Sequence, residues 1–213
     1  LTHNDNKYSY NLTDMKHLSG YHLMEILNHK TDYTAHWDTA LSNGHRIYLL
    51  ASENHYTVLS PDEMGKRFTM VNAENLHMES IVSALEKGRV YGVDLFNTTG
   101  FDQENNELEN SNTPLLVSAC LKADTFYVEV DQHAAFFRFI GQNGSELLLT
   151  EDSLKAFYTL GPEDTYVRTE ITFQNGAVMY LNPLTRHLTD DLERQILAQV
   201  DITKTALYRG IYI

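Results

Sequence analysis

Glu53 and His55 stand two positions apart where an apolar run, Ile47 to Ala51, breaks into Ser52-Glu53-Asn54-His55. In extended chain, side chains at i and i+2 point to the same side. The carboxylate and the imidazole can therefore share one cluster at the end of a strand. Carboxylate oxygen and imidazole nitrogen both ligate divalent cations. In α/β proteins the functional face lies where strands end and loops begin. By itself the pair reads as the polar loop that commonly ends a strand, with metal ligands delivered by a strand as the alternative. The chain holds ten histidines, and those at 17, 22, 29, 36, 45 and 77 show no zinc-type spacing.

The balance of charge narrows the partners. Lys plus Arg is 16 and Asp plus Glu is 29, a formal net charge of −13. Such a surface repels nucleic acid phosphates, and no basic cluster offsets it, so nucleic acid is set aside. A phosphorylated substrate would need a local positive site, which a bound cation supplies. Cys120, the one cysteine, sits in an apolar run and reads as a small packed hydrophobe. No stretch is long and apolar enough to span a bilayer. The start at Leu1 and the apolar end "TALYRGIYI" are read as the cut ends of a longer protein.

The elements that must position the pair change character near residue 97. Before it, strands "YHLMEILN", "RIYLLAS", "RFTMVNA" and "RVYGVDLF" alternate with helices "HWDTALSNG" and "NLHMESIVSALEKG". In the second helix, Met78, Ile81, Val82 and Leu85 make one apolar stripe, Asn75 is the expected N-cap, and Gly88 takes the position past the end. Strand–helix alternation argues for a parallel sheet or barrel. Residues 97–114 are acidic and Asn-rich and read as a linker or long loop. From 115 to 184, short β-branched and aromatic runs separated by "GQNG", "GPED" and "QNG" predict a β-sandwich. Trp37 reads as packing and Asp38 as a brace for its helix. Arg89 reads as structural, and Arg138 and Arg168 as ordinary solvent-face arginines of strands. Residues 185–213 form a tail with helical spacing at Leu192, Ile196, Leu197 and Val200.

With these residues in view, positions 1–96 resemble the C-terminal half of a PHP domain, the polymerase and histidinol phosphatase family. "LTHND", with His3, is similar to the family's strand ending in His. Glu25 and Asn28 in "LMEILN", Trp37 and Asp38 in "HWDTALSNGHRIY", and "SENH" follow in the family's order. "SENH" takes the place of Ser-Asp-x-His, so Glu53 stands where the family has Asp. The second half resembles the β-sandwich appended to some bacterial PHP proteins, on "FIGQNG", "YVRTEI" and "YLNP".

The resemblance implies an α/β plus all-β chain: the C-terminal part of a (β/α) PHP-type barrel over 1–96, followed by a β-sandwich. It implies hydrolysis of a phosphorylated small molecule at a multinuclear site of Zn, Mn or Fe, with His3, Glu53 and His55 as ligands converging in space. No catalytic side chain beyond them is assigned. The family's His-x-His motif is absent from the sequence. The chain alone is therefore expected to be inactive without the missing barrel half or a partner chain. Residues 1–96 and 115–184 are expected to form separate cores. The alternative is a non-catalytic binding module, with a degenerate barrel and a glycan- or protein-binding sandwich. A third expectation is a structural role at a membrane surface, with a lean toward a bacterial envelope or periplasm.

Overall fold

The computed structural model describes residues 10–28, 31–53, 65–98, 101–102, 107–108 and 113–186. The chain enters through a single helical turn, α1 (Leu12–Met15), closed by a capping box between Asn11 and Asp14. Strand β1 (Leu23–Asn28) is followed by the two-residue β2 (Thr31–Asp32), helix α2 (Thr34–Ser42) and strand β3 (Tyr48–Ser52). These strands form a small sheet in the order β2-β1-β3, and β1 and β3 run parallel. α2 is the crossover between them. Its Trp37 is fully buried, and the indole N–H donates to the Ile47 carbonyl at 2.9 Å.

The parallel pattern stops there. Strand β4 (Arg67–Val71), helix α3 (Met78–Glu86) and strand β5 (Val90–Asp94) look in sequence like a second parallel unit. Instead β4 and β5 pair antiparallel, Arg67 opposite Asp94 and Val71 opposite Val90. The (β/α) barrel expected over 1–96 is therefore not the architecture. Strand–helix–strand order does not state on which side the returning strand pairs, and here the helix lies within an antiparallel connection. α3 also departs from expectation. Asn75 accepts from the His77 N–H at 2.9 Å, one step ahead of the helix, and of α3 only Ala84 is buried. The stripe from Met78 to Leu85 does not face the core.

Beyond a short pair, β6 (Phe101–Asp102) with β7 (Glu107–Leu108), the chain is strand after strand: β8 (Leu116–Lys122), β9 (Thr125–Ile140), β10 (Glu146–Thr159), β11 (Tyr166–Phe173) and β12 (Val178–Thr185). They do not make a separate sandwich. One curled antiparallel sheet runs in the order β10-β9-β11-β12-β5-β4, with β8 also on β9. Strands of both sequence halves lie in it, since β12 pairs with β5 from Val178–Asp94 to Leu181–Tyr91. β9 is long because it serves two neighbours in turn: β8 along residues 116–122 and β11 along residues 168–173. β10 pairs with it along most of its length, with register shifts between Glu146 and Leu148 and between Ser153 and Lys155. The Gln174-Asn175-Gly176 turn between β11 and β12 forms as read, with Gly176 at φ +90. A Cβ there would lie 2.5 Å from the Asn97 carbonyl oxygen, so both the backbone angle and the space demand glycine.

The apolar side chains form two clusters, and neither respects the boundary at residue 97. Phe126, Phe137, Phe139, Ile171 and Met179 fill the curl together with Val93 and Leu95 of the first half. Met24, Ile26, Trp37 and Leu49 pack around α2 together with Tyr166 and Tyr180 of the second. The free edge of β3 is closed by side chains. Asn182 accepts from the Leu49 N–H at 2.8 Å and donates to the carbonyls of Gly88 and Val90 at 2.8 and 3.0 Å. Thr69 accepts from the Ala51 N–H and donates to the Ala51 carbonyl, both at 2.8 Å. Two amphoteric side chains thus join the parallel corner to the large sheet without a further strand.

Candidate functional site

Because β1 and β3 are parallel, their carboxyl ends lie side by side, with Asn28 opposite Ser52. A small polar cluster forms there. The buried Glu25 carboxylate accepts from Asn28 Nδ2 at 2.8 Å and from the Ser52 hydroxyl. Glu53 follows, and its carboxylate turns to the start of β4. It accepts from the backbone N–H groups of Gly65 and Arg67, at 2.7 and 2.8 Å, and from that of Lys66. Behind these lies a buried ion pair in which Arg67 Nε and Nη2 reach one Asp94 oxygen at 3.0 and 2.8 Å. Arg67 Nη1 donates to the Thr31 carbonyl at 2.8 Å.

This arrangement bears on the metal site. Glu53 lies at the strand end, as expected, but its two oxygens hold three backbone N–H groups. His3 and His55 fall outside the described residues. Among the described residues no three His, Cys, Asp or Glu side chains are grouped to hold an ion. In this cluster the Glu25, Glu53 and Asp94 carboxylates each accept from N–H or O–H donors. What the cluster does is fix where β4 starts.

A second polar site joins α2 to the large sheet. Arg168, expected at the solvent face, is only 3% exposed. Its Nε and Nη2 meet the two oxygens of Asp38, both at 2.7 Å, and Tyr166 donates to Asp38 Oδ1 at 2.9 Å. The guanidinium lies 5.4 Å from the Trp37 ring. Burial alone would lower the Arg168 pKa; Asp38 and Glu170 more than offset it, and the group is held above its ordinary value. Burial, then the Asp38 charge, pushes the Tyr166 phenol up. The row continues outward with alternating sign, Arg138 lying 3.6 Å from Glu170 and 2.9 Å from Glu146. It borders an open cleft of about 610 Å³ under α2. Every charge in the row has a neighbour of opposite sign, so the row works as a fastener rather than as a binding site for an ion.

The third site lies on the arm of β8, β9 and β10, and here the side chains face solvent. Successive cross-strand pairs on one face are Thr125–Thr159, Tyr127–Phe157 and Glu129–Lys155. β8 adds Lys122, Cys120 and Ser118 beside them in the same order. The face is therefore a grid of three rows, an aromatic row between two polar ones. Tyr127 and Phe157 are 41% and 59% exposed, with ring centroids 5.9 Å apart and planes inclined at 34°. Lys122 Nζ lies 5.7 Å from the Tyr127 centroid. The threonine hydroxyls meet at 2.9 Å, and Lys155 pairs with Glu129 at 2.9 Å. Strand spacings make the grid about 10 by 14 Å. Sequence reasoning missed this face. "TFYVEV" and "KAFYT" each place an aromatic on both faces, so alternation alone does not say which ring is buried; the register does.

Compared with family models, with characterised proteins and with solved structures, the chain matches none. What the geometry itself defines is a mostly β protein, a curled antiparallel sheet with one parallel β-α-β corner fastened to it.

Proposed function

We propose that the chain is a non-catalytic binding module that takes a neutral glycan on the outer face of the β8–β9–β10 arm. The observation that carries this is the exposed Tyr127–Phe157 row between rows of hydroxyl and charged side chains. Large exposed apolar side chains rimmed by polar ones mark interaction sites. A sugar ring offers an apolar C–H face to stack on such rings and a rim of hydroxyls to meet Thr125, Thr159, Glu129 and Lys155. The size argues against a protein partner, since a stable protein interface takes about 800 Å² per side. The net charge of −13 argues for a neutral glycan over a sulfated or uronic one. The test is titration calorimetry of the chain with a panel of neutral oligosaccharides. Binding that Tyr127→Ala or Phe157→Ala each weakens about tenfold, the equivalent of about 1.4 kcal/mol, is the expected result. No binding at millimolar sugar, or binding indifferent to both substitutions, overturns it.

A second reading, metal-dependent phosphoester hydrolysis, draws on one observation. Glu25, Asn28 and Ser52 gather at the carboxyl ends of β1 and β3, the end at which parallel strands of α/β proteins hold their sites. It is measured with an aryl phosphate plus manganese or zinc. Turnover that Glu25→Gln and His55→Ala abolish would favour it over the glycan module.

A further inference from the structure

The opposite face of the same arm leads elsewhere. Ala119 and Leu121 of β8 lie across from Val128 and Phe126, so they share the face that builds the core. Yet Val117 and Leu121 are 57% and 50% exposed. Among the described residues β8 pairs with β9 alone. The strand thus turns core-type side chains over open space. Val117 and Ala119, though not Leu121, border a cleft of about 660 Å³ between β8 and the β4–β5–β12 part of the sheet, walled also by Val71, Pro183 and Leu184. Lys87 and Arg89 stand on its lining, and the buried Arg89 Nε finds no acceptor among the described residues.

We infer that this cleft is the seat of the chain's own C-terminal segment, with Leu192, Ile196, Leu197 and Val200 laid against its apolar wall. Three observations select this occupant over a foreign one. The described chain ends at Arg186, two residues past Leu184 on the cleft wall. Leu192 is six residues further, within about 20 Å of extended chain. The segment pairs an apolar stripe at helical spacing with Asp190, Asp191 and Glu193, opposite in sign to Lys87 and Arg89. One of those carboxylates would supply the acceptor that Arg89 Nε lacks.

The test places a photo-crosslinking phenylalanine analogue at position 117 of the full chain, a position exposed enough to leave the fold intact. Irradiation should give an adduct at the mass of one chain, mapped by peptide mass to residues 187–200. Ile196→Asp with Leu197→Asp should lower its yield at least fivefold, and Arg89→Glu at least twofold, with far-ultraviolet circular dichroism unchanged. An adduct at the mass of two chains would assign the cleft to a second copy and overturn the inference. So would an adduct confined to residues before 187, or a yield that the aspartates leave unchanged. A second placement of the analogue at Val71, across the cleft, should report the same segment.

Discussion

The corner built by β1, α2 and β3 and the arm built by β8, β9 and β10 use polar side chains in opposite ways. At the corner, carboxylates and guanidiniums are turned inward and matched one to one: Glu25 with Asn28 and Ser52, Arg67 with Asp94, Asp38 with Arg168. On the arm, the polar side chains lie flat on the surface beside exposed rings, pairing only along their own rows. Chemistry-bearing residue types are denser at the corner, yet the corner spends them on assembly. The lesson is that a polar cluster at a strand end has to be read with its donors and acceptors counted. A saturated carboxylate holds structure, and an unspent aromatic face is what remains to meet a ligand.

The sharpest way to break this comparison is Arg168→Met. It leaves Asp38 buried without its cation, a change that costs about 3–5 kcal/mol, and urea unfolding should show that loss. Pairing it with Asp38→Leu should recover much of the stability, because no buried charge is then left alone. A single substitution that costs under 1 kcal/mol would mean that the row is ornamental. Asn182→Ala comes next. It removes the acceptor for Leu49 N–H and the donor to Gly88 and Val90. A loss of about 1–3 kcal/mol is expected from buried groups left unpaired, together with faster hydrogen exchange at Leu49.

The dependence on pH sharpens the corner further. Burial holds the His45 pKa below its ordinary value, with the Lys16 carbonyl at 3.2 Å on Nε2 opposing the shift in part. His36 is lowered for the same first reason. A depressed histidine is neutral in the fold and protonates more readily unfolded. Its contribution is therefore full above about pH 6.5 and is lost as pH falls from there toward the folded value. Urea midpoints should drop between pH 7.5 and pH 5.5, and His45→Gln should flatten that drop. The smallest effect belongs to the arm. Phe157→Ala should move the unfolding free energy by about 0.5 kcal/mol or less, as for exposed sites, while it weakens glycan binding. A larger loss would place that ring in the core account instead.

Local elements were legible in the sequence and their partners were not. The strand before Glu53, the Trp37 helix with its buried indole, and the Asn175-Gly176 turn follow from apolar period and glycine chemistry. The barrel did not follow. β4, α3 and β5 carry a parallel unit's pattern while Arg67 sits opposite Asp94 in an antiparallel register, and pattern carries no register. Glu53 was legible as a strand-end carboxylate. That Gly65, Lys66 and Arg67 would offer it three N–H groups depends on where the chain returns after residue 64. Arg168 was misplaced because alternation marks two faces of a strand but does not reveal that α2 covers one of them.

The bond between Asp38 and Arg168 spans 130 residues of chain, and that from Asn182 to Leu49 spans 133. On a ribosome working at about 5–20 residues per second, the corner would wait on the order of ten seconds for the strands that fasten it. Through that interval Trp37 and its neighbours would form at most a loose collapsed cluster, with Asp38 still hydrated. The corner would be translated before the strands that fasten it and would become rigid only after them.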